Sequence, residues 1–116
     1  MRKVFRSAEF DEFYSLVDSK VQDKIDYVVH MITTIIVVNA KFVKKLTDTP
    51  FYELRISVEN EYRIILFTMD KASFIEAKEV YLLNGFLKKS TKDYYKQIDI
   101  ADKIIRRLSA NIKDEK

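Results

Sequence analysis

The sequence contains no cysteine and only one glycine, one proline and one histidine among its 116 residues. Without cysteine, the chain has no disulfide, no thiolate nucleophile and no thiolate metal ligand. A single histidine argues against a protein zinc site, and a single glycine excludes glycine-rich phosphate loops. The scarcity of glycine and proline also excludes flexible linkers and low-complexity segments. We therefore expect a protein that uses no metal and no cofactor.

Long hydrophobic runs are missing as well. The longest uncharged stretch begins at Tyr27 and is too short to cross a bilayer. Residues 1–6 carry positive charge but lack the apolar segment of a signal peptide. We expect a soluble, cytoplasmic protein without membrane contacts. The length fits one domain over residues 1–116, and 7 tyrosines and 8 phenylalanines help to supply its core.

The N-terminal third of the sequence predicts a strand followed by two helices. Residues 4–6 form a short strand, and Ser7 can cap a helix whose apolar residues recur at helical spacing. Ser19 and Gln22 have capping-box spacing, which predicts the start of a second helix. The helical period of its apolar residues extends this helix to residues 38–39.

After a basic turn over residues 41–46, the apolar period changes from about 3.6 to about 2 residues. Three strands follow, at residues 52–58, 62–69 and 79–87. Ser90 and Asp93 have the spacing to cap a last helix, and residues 113–116 are expected to be a frayed tail. The predicted fold is α+β: a small twisted antiparallel sheet of about four strands, two N-terminal helices on one face, and a C-terminal helix.

Two arginines are predicted to meet on the sheet face that the N-terminal helices leave open. If the hairpin between the first two of these strands has a three-residue loop, Arg55 lies across from Ile65 and Arg63 lies across from Ser57. The two guanidinium groups are then diagonal neighbours on one face. The other face carries the residues that the helices would cover, which are Leu54, Ile56, Tyr62, Ile64 and Leu66.

Two neighbouring arginines repel each other unless an anion lies between them. A phosphodiester is such an anion, and a guanidinium group binds it with two parallel hydrogen bonds. In the alternative interpretation, Arg55 forms a surface salt bridge with Glu53 or Glu61. Arginines fully engaged by their own acidic neighbours would argue against a phosphate site.

Candidate proton-transfer groups follow the third strand of the meander. The only glycine, Gly85, offers a place where this strand can bend or bulge, so that Lys88 and Lys89 leave it towards the arginines. A lysine there can accept a proton, and Tyr94 or Tyr95 can stack on a base or pass a proton. Alternatively, Tyr94 is a core residue and Tyr95 is a surface residue.

Further basic residues are candidates for RNA binding, together with Tyr94: Lys41, Lys44, Lys45 and Lys92. Charged runs of this kind are more often a solvated face. His30 lies opposite the apolar stripe of the second helix, so we expect it to be exposed and not catalytic. The charged residues of the same helix are expected to be a solvated face without function, namely Lys20, Asp23, Lys24 and Asp26.

Three separated segments resemble the HigB-like branch of the RelE/ParE toxin superfamily, which includes phage-derived members. These segments are residues 51–56 (FYELRI), 61–64 (EYRI) and 82–91 (LLNGFLKKST). The resemblance covers about residues 41–108. Many relatives continue with Thr-Pro and an acidic residue where this chain has STKDYY at residues 90–95.

The resemblance implies a role for the basic residues. Arg55 would lie near the scissile phosphate of an RNA, and Arg63 would contact that phosphate. A basic residue at the end of the last strand and a tyrosine at the start of the closing helix would complete the site. The candidate catalytic residues are Arg55, Arg63, Lys88, Lys89 and Tyr95.

The resemblance also implies an activity and partners. Such a protein would be the toxin of a bacterial type II toxin–antitoxin system, a metal-independent and ribosome-dependent endonuclease of messenger RNA. Its partners would be a helix-turn-helix antitoxin, the ribosome and messenger RNA. The alternatives are a ParE-like inhibitor of gyrase and a non-catalytic RNA- or protein-binding module of the same fold.

Overall fold

The computed structural model describes the backbone of residues 1–114 and the side chains of residues 1–110. Its strands are β1 (Lys3–Arg6), β2 (Val43–Lys45), β3 (Phe51–Val58), β4 (Asn60–Thr68) and β5 (Glu79–Leu87). Its helices are α1 (Ala8–Leu16), α2 (Ser19–Thr34) and α3 (Lys92–Asp114). One mixed sheet contains the five strands in the order β1-β5-β4-β3-β2. The predicted α+β fold and the antiparallel meander of β3, β4 and β5 are confirmed, and β1 pairs in parallel with β5.

The edge strand β2 replaces part of the basic turn that was predicted over residues 41–46. Val43 is buried and pairs with Leu54, whereas Lys44 and Lys45 are exposed. Three residues are too few to show the period-two pattern by which a strand is recognised in a sequence. The sequence therefore predicted a turn where a short strand closes the sheet.

The N-cap of α2 lies one residue earlier than predicted. Asp18, and not Ser19, is the N-cap, because its side chain accepts a hydrogen bond from the backbone of Val21 at 3.1 Å. Gln22 does not complete a capping box, since its amide donates to the carbonyl of Tyr14 at 2.8 Å. This bond ties the start of α2 to the end of α1.

The end of α2 lies at Thr34, and the predicted end at residues 38–39 is wrong. The buried guanidinium of Arg2 lies over the ring of Phe74 and supplies donors to carbonyls that a continued helix would need. It donates to the carbonyls of Ile32, Ile35 and Ile36. The chain leaves the helix at Ile35, which is extended, and bends at the β-branched residues Ile36 and Val37.

Helices pack on both faces of the sheet. α1 and α2 cover the face that contains Leu54, Ile56, Ile64 and Leu66, with Tyr62 partly buried, as predicted. α3 covers a second core on the opposite face, formed by Phe51, Ile65, Leu83, Phe86, Ala101 and Ile104. Only part of the second face is therefore open. None of the helices within residues 1–114 has both the length and the apolarity needed to cross a membrane.

The start of α3 agrees in part with its predicted cap, and the helix continues further than predicted. The Asp93 carboxylate accepts the backbone N–H groups of Lys89 and Ser90, so the predicted part of Asp93 in the cap is confirmed. The predicted part of Ser90 is not, because α3 begins at Lys92 and, among the described residues, the Ser90 side chain accepts no hydrogen bond from it. At the other end, α3 includes residues 113–114 of the predicted frayed tail. Residues 115–116 lie outside the described residues.

The hairpin between β3 and β4 turns at Glu59, which adopts a positive φ of 61°. Its register places Arg55 directly across from Arg63. The predicted pairs of Arg55 with Ile65 and of Arg63 with Ser57 are therefore wrong, because the connection is shorter than the three-residue loop on which they depended. The two arginines are closer neighbours than predicted, and they do lie on one face.

Gly85 serves a different purpose from the bend that was predicted there. The irregularity in β5 falls at Leu83, since Ile65 pairs with Asn84 and Leu66 pairs with Leu82. A Cβ atom at Gly85 would lie 2.3 Å from a ring carbon of Phe13. Glycine is thus required because α1 packs its aromatic ring directly onto the strand backbone.

We expect Gly85→Ala to lower the free energy of unfolding by about 1–3 kcal/mol, because the added methyl group overlaps the Phe13 ring. Urea denaturation of Gly85→Ala in the wild-type and Phe13→Ala backgrounds measures this effect. In the Phe13→Ala background the cost should largely disappear. An equal cost in both backgrounds would show that the ring is not the reason for the glycine.

Candidate functional site

The candidate site lies on the sheet face under α3, at the end nearest the β3–β4 hairpin. Side chains alternate between faces along each strand, so Phe51, Glu53 and Arg55 of β3 share this face. Phe51 belongs to the core beneath α3, whereas the following positions are charged. The face therefore changes from apolar to polar as it approaches the hairpin. Because of this change, charged groups stand directly beside a hydrophobic core.

Glu53 is the buried centre of the polar part. Its side chain is only 3% exposed, and one carboxylate oxygen accepts a hydrogen bond from the Arg55 Nε at 3.2 Å. The other oxygen accepts the hydroxyl hydrogen of Tyr94 at 2.6 Å. The Nε of Arg63 lies 3.8 Å from the same oxygen. The anion between the two arginines is thus a carboxylate of the chain itself.

Arg63 is almost completely enclosed. Its side chain is 6% exposed, and its Nε donates to the Tyr94 hydroxyl at 3.2 Å. One terminal nitrogen donates to the Glu61 carboxylate at 3.1 Å and to the Tyr62 carbonyl at 2.9 Å. The positive charge of Arg63 is therefore compensated within the protein, and its side chain has little surface to offer a ligand.

Arg55 is the accessible arginine, with a side chain that is 31% exposed. Its partner Glu53 is one of the two named in the alternative interpretation, but the Glu53 side chain is buried, so the predicted surface salt bridge is instead a partly buried one. The contact uses only Nε, and within residues 1–114 the terminal nitrogens make no hydrogen bond. Glu53 thus holds the guanidinium group of Arg55 at Nε, and the two terminal amino groups of Arg55 stay available to an anion.

Tyr94 connects α3 to both strands. Burial raises the pKa of Tyr94 to about 12, and the hydrogen bond to the Glu53 carboxylate acts in the same direction. The phenol is therefore neutral at physiological pH, donating to Glu53 and accepting from Arg63. Its ring packs edge-on against Phe86, with 5.6 Å between the ring centroids. These contacts make Tyr94 a partly buried member of the network.

Lys88 borders this network where β5 ends. Its backbone N–H donates to the Glu61 carbonyl at 2.8 Å, and its Nζ lies 5.5 Å from the centre of the Tyr94 ring. A hydrogen bond from the Ser57 hydroxyl and the neighbouring Arg63 lower the pKa of the Glu61 carboxyl, and Lys88 contributes to this effect. Arg55, Arg63, Lys88 and Tyr94 are thus brought into one cluster.

The other predicted site residues do not all lie near this cluster. Lys44 is the register partner of Glu53, and Lys41 lines a depression with Arg55. Lys45 points to the opposite face, where its Nζ lies 5.6 Å from the Tyr52 ring. Lys89, Lys92 and Tyr95 are exposed, Tyr95 by 80%, and His30 is exposed as predicted.

Sequence reasoning missed the acidic members of the site. Glu53 appeared only as a possible surface partner, although it lies two residues from Arg55 and therefore on the same face of the strand. Asn84 was also missed; it is buried and donates to the carbonyl and the side chain of Gln97 in α3. Within the part of the chain that the structure describes, no three histidine, aspartate or glutamate side chains lie close enough to hold a metal ion.

We expect Tyr94→Phe to lower the free energy of unfolding at neutral pH by about 1.5–3 kcal/mol, the usual range for a hydrogen bond to a charged group. The folded-state pKa of about 12 lies above the ordinary value of 10.0. This stabilisation is therefore fully present below pH 10 and is lost as the pH rises towards 12. Urea denaturation at neutral pH and above pH 10 measures the difference, with Tyr95→Phe as the control. A difference from wild type that does not change with pH would contradict the prediction.

The chain matches a protein family, and its fold is similar to that of known structures. Residues 11–106 match the family described as "Phage derived protein Gp49-like (DUF891)". The fold is similar to a chain of the intact E. coli RelBE toxin–antitoxin complex, with a TM-score of 0.60 and 13% identity over 78% of this chain and 100% of that chain. It is also similar to the isolated E. coli RelE toxin, with a TM-score of 0.51 and 12% identity over 85% and 97% of the two chains.

At these identities the two solved structures establish a shared fold. Among curated proteins, no significant match to the sequence was found. The family match, in contrast, extends over most of the 116 residues. It includes β3, β4, β5 and the start of α3, which carry the cluster around Glu53. The chain therefore belongs to the Gp49-like family of phage-derived proteins, a RelE/HigB-type toxin family, and has the RelE-like fold.

Proposed function

We propose that the chain is the toxin of a bacterial type II toxin–antitoxin pair and that it cleaves messenger RNA on the ribosome. Membership of a RelE/HigB-type toxin family supports the first part. The observation that supports the second part is the guanidinium group of Arg55, which Glu53 holds at Nε while its outer edge is exposed. A guanidinium fixed in this way is preorganised for a phosphate.

In the proposed reaction, the ribose 2′-oxygen attacks the adjacent phosphorus and the bond to the 5′-oxygen breaks, which leaves a cyclic phosphate. Lys88 or Lys89 takes the proton of the 2′-hydroxyl, and Tyr95 or a lysine protonates the leaving oxygen. Arg55 stabilises the charge that develops on the phosphoryl oxygens. Arg63 acts mainly through the network, because only 6% of its side chain is exposed. The ribosome supplies the alignment of the substrate.

The proposed partners are an antitoxin with a helix-turn-helix domain, the ribosome and messenger RNA. The similarity of the fold to a chain from the E. coli RelBE toxin–antitoxin complex supports a protein antitoxin. The exposed cations around Arg55 and Lys88 support an anionic ligand such as RNA.

One observation favours a second candidate, a non-cleaving RNA- or protein-binding module of the same fold. Glu53 and Glu61 both pair with Arg63, and Glu53 also pairs with Arg55 through Nε. Fewer free positive charges then face a phosphate than the sequence predicted. Such a module binds RNA with a strong dependence on salt and leaves transcripts intact.

Induced expression in a bacterial host tests the proposed nuclease. We expect wild-type protein to arrest growth and to produce internal transcript ends in primer extension. Arg55→Ala should slow cleavage on the order of 100-fold and restore growth, because it removes the exposed charge that stabilises the transition state. Arg55→Lys should recover only part of the activity, since an ammonium group lacks the planar fork of guanidinium.

The matched control is Arg106→Ala, which removes an exposed arginine from α3 and should stay fully toxic. Circular dichroism checks that each variant is folded. Full toxicity of Arg55→Ala would refute the assignment of this residue. Growth arrest without transcript cleavage would instead indicate a ParE-like inhibitor of gyrase.

A further inference from the structure

A groove of cations and aromatic rings adjoins Arg55 at the β2 edge of the sheet. We name it the β2–α2 groove; it is formed by Lys24, Tyr27, Lys41, Phe42 and Arg55. It consists of two adjoining depressions, one that includes Arg55 and one that includes Tyr27. Lys24, Lys41 and Phe42 line both, so the surface continues from Arg55 to helix α2.

Local structure holds these side chains in place. Lys20, Lys24 and Tyr27 follow the i, i+4, i+7 spacing of one helix face. The Asn39 side chain accepts the Lys41 N–H at 2.8 Å, and its carbonyl accepts the Phe42 N–H at 2.9 Å. The Arg55 N–H in turn donates to the Phe42 carbonyl at 2.8 Å. The loop before β2 is thereby fixed against β3, which brings Lys41 and Phe42 to the groove.

The two lysines of the groove lie beside aromatic rings, whereas Arg55 is paired with Glu53. The Lys24 Nζ is 5.3 Å from the Tyr27 ring and 5.6 Å from the Phe42 ring, and the Lys41 Nζ is also 5.6 Å from the Phe42 ring. Within the described part of the chain, neither lysine forms a salt bridge. Asp23 lines only the depression that does not include Arg55, and Lys20, in the same depression, is paired with Glu59 at 3.5 Å. The middle of the groove is therefore positive.

We propose that the β2–α2 groove binds single-stranded RNA that leads away from Arg55, with phosphates at Lys24 and Lys41 and a base stacked on Tyr27 or Phe42. The inference deepens the proposed function, on which it rests, because Arg55 marks the reacting phosphate. Cations that alternate with aromatic rings suit a single strand, whose phosphates and base faces are both available. A duplex offers its phosphates but not its base faces, since its bases are stacked on one another.

Binding of an uncleavable RNA tests the groove independently of catalysis. The probe is a short, fluorescein-labelled, single-stranded 2′-O-methyl oligoribonucleotide, which lacks the attacking hydroxyl group, and binding to the full chain is measured over a series of salt concentrations. Lys24→Ala and Lys41→Ala should each weaken binding and reduce the slope of log affinity against log salt by about 0.7. Lys71→Ala, which removes an exposed lysine from the loop after β4, should leave both unchanged.

Variants of Tyr27 separate the contribution of base stacking to RNA binding from the contribution of charge. The Tyr27 side chain is 58% exposed, so its removal should not disturb the core. Tyr27→Ala should weaken binding about 5- to 150-fold, the usual effect of losing one stacked base, with no change in salt slope. Tyr27→Phe keeps the ring face and should bind as the wild type does.

Unchanged affinity and unchanged salt slope in both lysine variants would overturn the proposal. It would also be overturned if these variants bound RNA normally but escaped neutralisation by the antitoxin, because the groove would then be a protein surface. If the variants weaken RNA binding as expected while no transcript is cut on induction, the groove is supported and the proposed nuclease activity fails. The two inferences can therefore fail separately.

Discussion

The polar part of the sheet face under α3 depends on the carboxylate of Glu53. This carboxylate lies buried under α3, yet it accepts hydrogen bonds from Arg55 and Tyr94 and lies 3.8 Å from the Nε of Arg63. A buried carboxylate is costly to desolvate and is tolerated only when donors surround it. These donors come from β3, from β4 and from α3, so one acidic group joins three elements of the fold.

This arrangement gives the two arginines different roles. Arg63 is enclosed by Glu53, Glu61 and Tyr94 and contributes to the structure of the site. Arg55 is bound only through Nε and presents its outer edge to solvent beside the β2–α2 groove. A phosphate would therefore meet Arg55 and the nearby lysines, and it would not enter the space between the arginines. In this family member, the chain's own carboxylate fills that space.

The sequence was sufficient for the parts of the fold that depend on hydrophobic period. The meander and the buried face of β3 and β4 follow from alternation, and the part of Asp93 in the cap of α3 follows from side-chain spacing. The end of α2 could not be predicted, because Arg2, distant in sequence, binds carbonyls in its last turn and just beyond it. Nor could Gly85 be explained without knowing that Phe13 packs on it.

The candidate site was predictable to a similar degree. The shared face of Arg55 and Arg63 followed from strand alternation, but the hairpin register depended on a turn at Glu59 that the sequence does not specify. Lys24 was read as a solvated residue, because a helical wheel cannot show that the loop before β2 folds beside it. Burial of Glu53 depended on α3, which follows it by some forty residues.

The most direct test of the role of Glu53 is hydrogen exchange at the arginine Nε–H groups, followed by NMR in wild-type protein and Glu53→Gln. Glutamine keeps the shape of the side chain but replaces a charged acceptor with a neutral one. We predict that the Arg55 Nε–H exchanges roughly 5- to 10-fold faster in the folded variant, while Arg107, which is paired with Glu9, is unaffected. Exchange at Arg55 that is the same in both proteins would show that Glu53 does not hold this guanidinium group in place.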